Sequence, residues 1–401
     1  MRRNRIVFWQ GQPSPHQSSY LRALANLLPG TTVIGVFEHL LEKERLALGW
    51  VPADLGLVEV IVSPNQRAIV KLALHDPENT VHIFSEVRRS LTRRALPICA
   101  RTRALIGLLS EAREWRGWRG KLRILHSYVA ERRYRRRVDF VLAIGHLGIR
   151  WFKICGYPPK KIFPWGYFVE NCDYGSADSI ENGALSSPIS ISFVGQLIAR
   201  KDVKTLIAAL SRTRSRDWRL QIIGDGPQRQ EIVRFVKTTG VATKVAFMGT
   251  RNNDETRRIL AKSDLLVLPS RFDGWGAVVN EALMSGVPVV CSDYCGAADL
   301  VRAGDCGELF RTESAEDLTR VLDKWIARGP LTDARRAKIR SWSKCIEGNA
   351  AAQHLIEILD HVEGGRERPV APWFRAAPVA LWPISENHGA TQAVASHGPA
   401  R

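Results

Sequence analysis

Residues 265–293, LLVLPSRFDGWGAVVNEALMSGVPVVCSD, constrain this chain more than any other stretch. Residues 265–268 are a short apolar run closed by Pro269, which suits a strand buried on both faces. Ser270 to Gly276 is a loop with two glycines. Ala277 to Met284 has helical composition, and Gly286 and Pro288 stop it. A second apolar run follows at 287–291. Two buried strands joined by a helix over so short a distance make a βαβ unit of a parallel sheet. Two carboxylates, Asp273 and Glu281, sit inside it. The start of its helix carries free amide N–H groups and partial positive charge. A ligand bearing phosphates and hydroxyls fits there, phosphates on the amides and hydroxyls on the carboxylates.

The same alternation runs through the chain. Strands are expected at 5–9, 32–37, 58–62, 81–84, 104–109, 140–144 and 161–165, with helical stretches between most of them. Residues 171–188, small, polar and turn-forming, read as a linker. The rhythm restarts with strands at 189–194, 219–223, 245–248, 265–268, 287–291 and 308–310. Helices are expected at 203–210, 228–238, 255–262, 277–284, 297–302 and 315–328. This implies two doubly wound α/β domains, 1–170 and 189–330. Residues 331–363, helical in pattern over 335–362, follow and are expected to cross back toward the first domain. A Pro-, Ala- and Gly-rich tail at 364–401 is expected to be mostly disordered. Its Trp373, Phe374 and Trp382 are unusual for a solvated segment, and suit docking on the body or at a membrane interface.

Composition narrows the partners. The net charge is +18, which calls for a negatively charged partner. Between Glu86 and Asp139 there are 16 Lys/Arg against five Asp/Glu, a net of +11. The seven cysteines are scattered with no C-x-x-C, which argues against a disulfide framework or a structural zinc site. Reduced thiols in a cytoplasmic protein are the expectation. The first ten residues read as a strand rather than a signal peptide, and no apolar run is long enough to span a membrane. The ten histidines lack metal-ligand spacing and D-x-D is absent, so neither metal nor cofactor is expected.

Three further constellations bear on chemistry. FVGQLIARKDV ends a strand at Gly195 and carries Arg200 and Lys201 into the next helix. Two cations at the carboxyl end of a parallel strand suit a diphosphate; a solvated basic loop is the plainer reading. IIGDGP places Gly224 and Gly226 in a tight turn with Pro227 opening a helix, and taken alone it is only turn chemistry. The basic stretch from Arg88 to Arg137, with Trp115, Trp118, Tyr128 and Tyr134 between its cations, fits nucleic acid, an anionic membrane surface or a solvated face.

With these residues in place, the second half resembles the nucleotide-sugar-binding domain of glycosyltransferase family 4 (glycosyl transferases group 1). These are retaining enzymes of GT-B architecture, in which two Rossmann-like domains face a cleft. The likeness covers about residues 189–326, through FVGQLIARKDVKTLIAAL, IIGDGP, VAFMGT, SDLLVLPSRFDGWGAVVNEALMSGVPVVCSD and GAADLV. The resemblance puts the family's E-x7-E pattern on Asp273, for the donor sugar's hydroxyls, and Glu281, for the ribose diol. It puts donor contacts on the backbone N–H groups of Gly274, Trp275, Gly276, Ala277 and Val278, and the phosphate-binding lysine on Lys201. Gln196 stands where the family has an arginine, and Arg200 is expected to supply that charge. Gly11, Gly195 and Gly224 complete the donor set.

In the first half only the strand rhythm matches. Phe84 occupies the place of a family histidine at the end of the fourth strand, and His82 is expected on that strand's other face. Ser85, Glu86, Ser110 and Glu111 are the nearest polar residues. Asp273, Lys201 and Glu111 are the catalytic candidates. The resemblance implies transfer of a sugar from a nucleoside-diphosphate sugar to a lipid-linked or saccharide acceptor, in cell-surface polysaccharide or lipopolysaccharide synthesis. The enzyme would be peripheral at the cytoplasmic face of the cell membrane, held by the basic stretch from Arg88 to Arg137, and would bind no nucleic acid. The alternatives are a GT-B epimerase, separable by mass balance, and a nucleic-acid binder, separable by a steep loss of oligonucleotide affinity with salt.

Overall fold

The computed structural model describes residues 3–40, 53–170 and 188–379. Seven strands form the first sheet: β1 (Arg5–Gln10), β2 (Thr32–Phe37), β3 (Glu59–Val62), β4 (Thr80–Ser85), β5 (Leu105–Glu111), β6 (Phe140–Ile144) and β7 (Ile162–Trp165). Six form the second: β8 (Ile189–Val194), β9 (Trp218–Ile223), β10 (Val245–Gly249), β11 (Leu265–Leu268), β12 (Val289–Ser292) and β13 (Gly307–Phe310). The orders are β3-β2-β1-β4-β5-β6-β7 and β10-β9-β8-β11-β12-β13. All pairings are parallel, with Phe8 opposite both Gly35 and Ile83, and Leu265 opposite Ile191. Helices cover both faces, which is why these strands read as continuous apolar runs. Pro164, which donates no hydrogen bond, sits in the edge strand β7.

In each sheet the strand order reverses at the first strand. Connections leaving β1 and β4, and likewise β8 and β11, diverge at their carboxyl ends and leave a crevice. The crevices bring together the loops after Gln10, Ser85, Val194 and Leu268. The expected linker, apart from Pro188, lies outside the described residues.

The helical pattern of residues 335–362 is carried by two helices. Asp333–Ser343 ends in the turn Lys344–Ile346, and Gly348–Val362 begins afresh. At the break Glu347 is extended (φ −84°, ψ 163°) and bridges to Val169. The break redirects the chain, so that Gly348–Val362 packs on the first domain's helix Pro15–Leu27. An added Cβ at Gly348 would lie 2.6 Å from the Ser19 carbonyl.

The tail is not disordered over the residues described. Arg368 donates to the carbonyls of Lys160 (2.7 Å) and Ile162. The turn Pro372–Arg375 buries Trp373 to 1% exposure against Phe168 and Trp275, one ring from each domain. Phe374 stays half exposed, and Trp382 lies outside the described residues.

His82 does not point away from the face of Phe84. Residues two apart in a strand share a face, and both rings pack on Trp9, whose Nε1 donates to His82 Nδ1 at 3.1 Å. Burial, chiefly, lowers the His82 pKa to about 3, so the imidazole is a neutral core acceptor.

Candidate active site

The loop between β11 and the helix Val278–Met284 is pinned to the chain after β12. Asp273 N–H donates to the Tyr294 carbonyl (2.9 Å), Gly296 N–H to that of Asp273 (2.9 Å) and Ala297 N–H to that of Trp275 (2.8 Å). Gly276 has φ +93°, and an added Cβ there would meet Cys295 Sγ at 2.8 Å. The turn therefore requires glycine. Among the described residues, the amides of Gly276, Ala277 and Val278 donate to no backbone carbonyl outside the helix. They are the helix-start donors expected of an anion site.

Asp273 is the hub. Its Oδ2 takes bonds from Lys201 Nζ (2.5 Å) and Ser270 Oγ (3.2 Å), and Arg200 Nη1 lies 3.6 Å from Oδ1. Lys201 ends the turn Ala199–Lys201 after β8. Arg200 holds the facing loop, its carbonyl accepting from Arg271 N–H (2.8 Å) and its Nη1 donating to the Phe272 carbonyl (3.1 Å). Beneath them Gly195 and Gly224 approach so closely that a Cβ on Gly224 would fall 2.0 Å from the Gly195 oxygen. Gln196 is exposed at the end of β8.

The first domain contributes Glu111 at the end of β5. A Cβ on Gly274 would fall 2.0 Å from its Oε2, so the carboxyl lies directly on the second domain's loop. Tyr167 donates its hydroxyl to Glu111 Oε1, and His16 stacks on the Tyr167 ring at 5.2 Å and 2°. Burial raises the pKa of Glu111; the Tyr167 bond opposes this, the charges of Asp273 and Glu86 add to it, and Arg200 opposes it. Glu281, in the first turn of Val278–Met284, also has its pKa raised by burial, with Arg257 opposing.

The structure thus brings Lys201, Arg200, Asp273, Gly274 and Glu111 into one cluster, with the amides of Gly276–Val278 on the same loop. Trp275 is placed differently from its neighbours. Its ring is 1% exposed, its Nε1 donates to Asn280 Oδ1 (2.7 Å), and Asn280 Nδ2 donates to the Tyr167 carbonyl (2.8 Å). This side chain belongs to the domain junction. Gly11 is buried beneath the Arg89 guanidinium, which a Cβ would meet at 2.1 Å. Sequence reading passed over Arg89, Tyr167 and His16. Arg89 carries a weak signal, lying three residues beyond Glu86; the other two carry none.

The domains also touch beside the cleft. Trp115 packs edge-on against Phe272 (6.1 Å), Arg116 pairs with Glu313 (2.7 Å), and His146 Nε2 lies 3.2 Å from the Asp293 carbonyl.

Two parallel Rossmann-like sheets facing a cleft, with a cation–carboxylate cluster and an open helix start at its floor, define a GT-B protein. Residues 177–342 match the family described as Glycosyl transferases group 1. Among curated relatives, the alpha-D-kanosaminyltransferase of Streptomyces kanamyceticus is 31% identical over 139 residues, 33% of this chain and 36% of that protein. The match thus covers well under half of that relative. Among solved structures, the apo lipopolysaccharide outer core galactosyltransferase WaaB has a TM-score of 0.67 at 18% identity, covering 89% of this chain and 99% of WaaB. Anabaena HepE in complex with UDP has a TM-score of 0.66 at 17% identity, covering 89% and 100%.

Proposed function

We propose that this protein is a retaining glycosyltransferase that moves a sugar from a nucleoside-diphosphate sugar to a hydroxyl on a lipid-linked or saccharide acceptor. The observation that carries this is the apposition of Lys201–Asp273 from one domain with Glu111 from the other, beside the unused amides of Gly276–Val278. HepE, of the same fold, was solved with UDP, and WaaB is named for lipopolysaccharide. These support a nucleotide-sugar donor and a product in cell-surface polysaccharide or lipopolysaccharide.

Breaking the bond to a diphosphate builds negative charge on the departing oxygen. Lys201, Arg200 and the helix amides are fixed beforehand where they can stabilise it, which is the main electrostatic route to rate. Asp273, held by Lys201 and Ser270, takes the sugar's hydroxyls, and its shorter side chain keeps the sugar closer to that loop than a glutamate would. Glu281 holds the ribose. Attack comes from the leaving-group side, with the departing phosphate taking the acceptor's proton. Glu111 faces the acceptor, and Gly11 leaves room for the donor's diphosphate. Cations of the chain neutralise the phosphates, so activity should survive EDTA; a loss restored by magnesium would sink that part. The enzyme works at the cytoplasmic face of the cell membrane, to which its basic stretch is attracted.

The direct test is a thermal-shift screen against UDP, other nucleoside diphosphates and their sugars. A ligand at 100 times its Kd adds about 2.7 kcal/mol to stability. A screen in which no nucleotide raises Tm would overturn the reading.

A further inference from the structure

The helix Gly117–Ala130 is built inside out for a soluble protein. Its buried residues are Gly120 and Ser127, while Trp118, Leu122, Leu125 and Val129 are 68%, 55%, 59% and 62% exposed. Their spacing of four, three and four places them on one stripe of the helix. A globular helix turns such a stripe to the core, and an exposed one marks a contact surface.

The surroundings indicate what the stripe meets. Arg119 and Lys121 flank it. At its C-terminal end Arg132, Arg133 and Arg136 line a cavity of about 730 Å³ together with Val129 and Ala130. Arg133 also borders a second cavity of about 490 Å³, shared with Arg93, Arg101 and Arg137. Among the described residues, Arg93, Arg101, Arg132, Arg133 and Arg136 form no ion pair with a carboxylate. The one acid between Gly117 and Arg137, Glu131, is buried and accepts from Tyr157 Oη (3.0 Å). Guanidinium groups left together without counter-charge are suited to phosphate oxygens, which they can bind in pairs of hydrogen bonds.

We propose that this face, the stripe Trp118–Leu122–Leu125–Val129 with the arginine-lined cavities at its end, is where the protein sits on an anionic phospholipid bilayer. The apolar side chains enter between headgroups, and the arginines hold lipid phosphates. This is the arrangement of an interfacial helix, which lies in the membrane surface. No helix of the described residues is long and apolar enough to cross a membrane. A second copy of the chain fits less well, since it would bring the same uncompensated arginines to the contact.

The placement has a consequence for the reaction. The helix starts one residue after Arg116, and Trp115 and Arg116 touch Phe272 and Glu313 of the second domain. The stripe therefore begins beside the cleft, and an acceptor carried on a lipid reaches Glu111 without leaving the interface. That consequence, unlike the surface itself, rests on the proposed transfer to a membrane-borne acceptor.

The test is co-sedimentation of the full chain with vesicles, read beside the UDP thermal shift. Wild type should bind phosphatidylglycerol–phosphatidylcholine vesicles, bind phosphatidylcholine alone far more weakly, and bind less at high salt. Leu122→Asp/Leu125→Asp and Arg132→Glu/Arg133→Glu should each weaken binding to the anionic vesicles at least about tenfold, about 1.4 kcal/mol. All four positions are exposed, so both variants should keep the wild-type Tm and UDP shift. Equal binding to both vesicle types, or undiminished binding by either variant, would overturn the proposal. So would a concentration-dependent dimer that the leucine variant dissolves, with no vesicle binding by wild type. Vesicle binding without any UDP shift would leave the surface standing and sink the donor site instead.

Discussion

In the second domain, Lys201 and Asp273 meet from two loops that follow neighbouring strands, β8 and β11, and Glu281 lies in the helix Val278–Met284 that follows the second loop. In the first domain, Gly11, His16, Arg89, Glu111 and Tyr167 come from four separate points between β1 and the domain boundary. The sheets share a topology, so the difference lies in the ligand each half serves. A nucleoside diphosphate has fixed geometry, and a compact strand–loop–helix can hold it through amides and two or three side chains. An acceptor is met by a surface assembled from many loops. Under the transfer proposed above, the second domain would bind the donor and the first would present the acceptor.

The largest expected effect attacks the premise that the halves act as one body. Trp373 lies between Phe168 and Trp275 at 1% exposure. Trp373→Ala should cost about 3–5 kcal/mol, the usual range for emptying a buried Trp site, read by denaturant unfolding. A variant as stable as wild type would show that the tail is not a clasp. Next, Lys201→Ala removes a fixed cation beside the leaving group and strips Asp273 of its closest partner. Its kcat/KM should fall about 10²-fold, the scale of losing one preorganised stabilising donor. If it fell only through acceptor KM, the division between domains would be wrong. Glu281→Ala should cut transfer at least about tenfold, about 1.4 kcal/mol, and reduce the thermal shift given by UDP. An undiminished shift would remove Glu281 from the nucleotide site.

All thirteen strands of the described residues could be read in advance, because most of them are short apolar runs between turn residues. The loop after β11 was legible for a related reason. Asp273, Gly276 and Glu281 lie within nine residues, so their spacing survives in the sequence as a pattern. What was not legible depends on partners far along the chain. Trp275 was read only for its backbone, and its ring meets Tyr167, Asn280 and Trp373 in the junction. Trp115 was grouped with the basic surface, and its neighbours are Phe272 and Tyr294. Nothing local distinguishes an aromatic that closes a domain interface from one that faces solvent. The break before Gly348 is similar, since it is set by where the first domain's helix Pro15–Leu27 lies.

The smallest expected effect separates the domains most finely. Glu111 has its pKa raised by burial, and the hydrogen bond from Tyr167 works against that rise by favouring the carboxylate. If Glu111 acts as the carboxylate, transfer falls as pH drops through its pKa. Tyr167→Phe removes the favouring bond, so the acid limb of the pH–rate profile should move to higher pH, while the UDP thermal shift stays as in wild type. The stability sign runs the same way. A carboxyl whose folded pKa is raised binds more protons folded than unfolded, so its contribution to stability is present below the unfolded pKa and is lost as pH rises through the folded one. Glu111→Gln keeps an acceptor for Tyr167 and carries no charge. It should therefore unfold at a higher temperature than wild type at neutral pH, with the gap closing in acid, while its acid limb disappears. A Glu111→Gln protein with wild-type transfer and an unchanged acid limb would leave the first domain without a titrating group at the cleft. The distinction between a donor half and an acceptor half would then rest on the segments that carry His16 and Arg89.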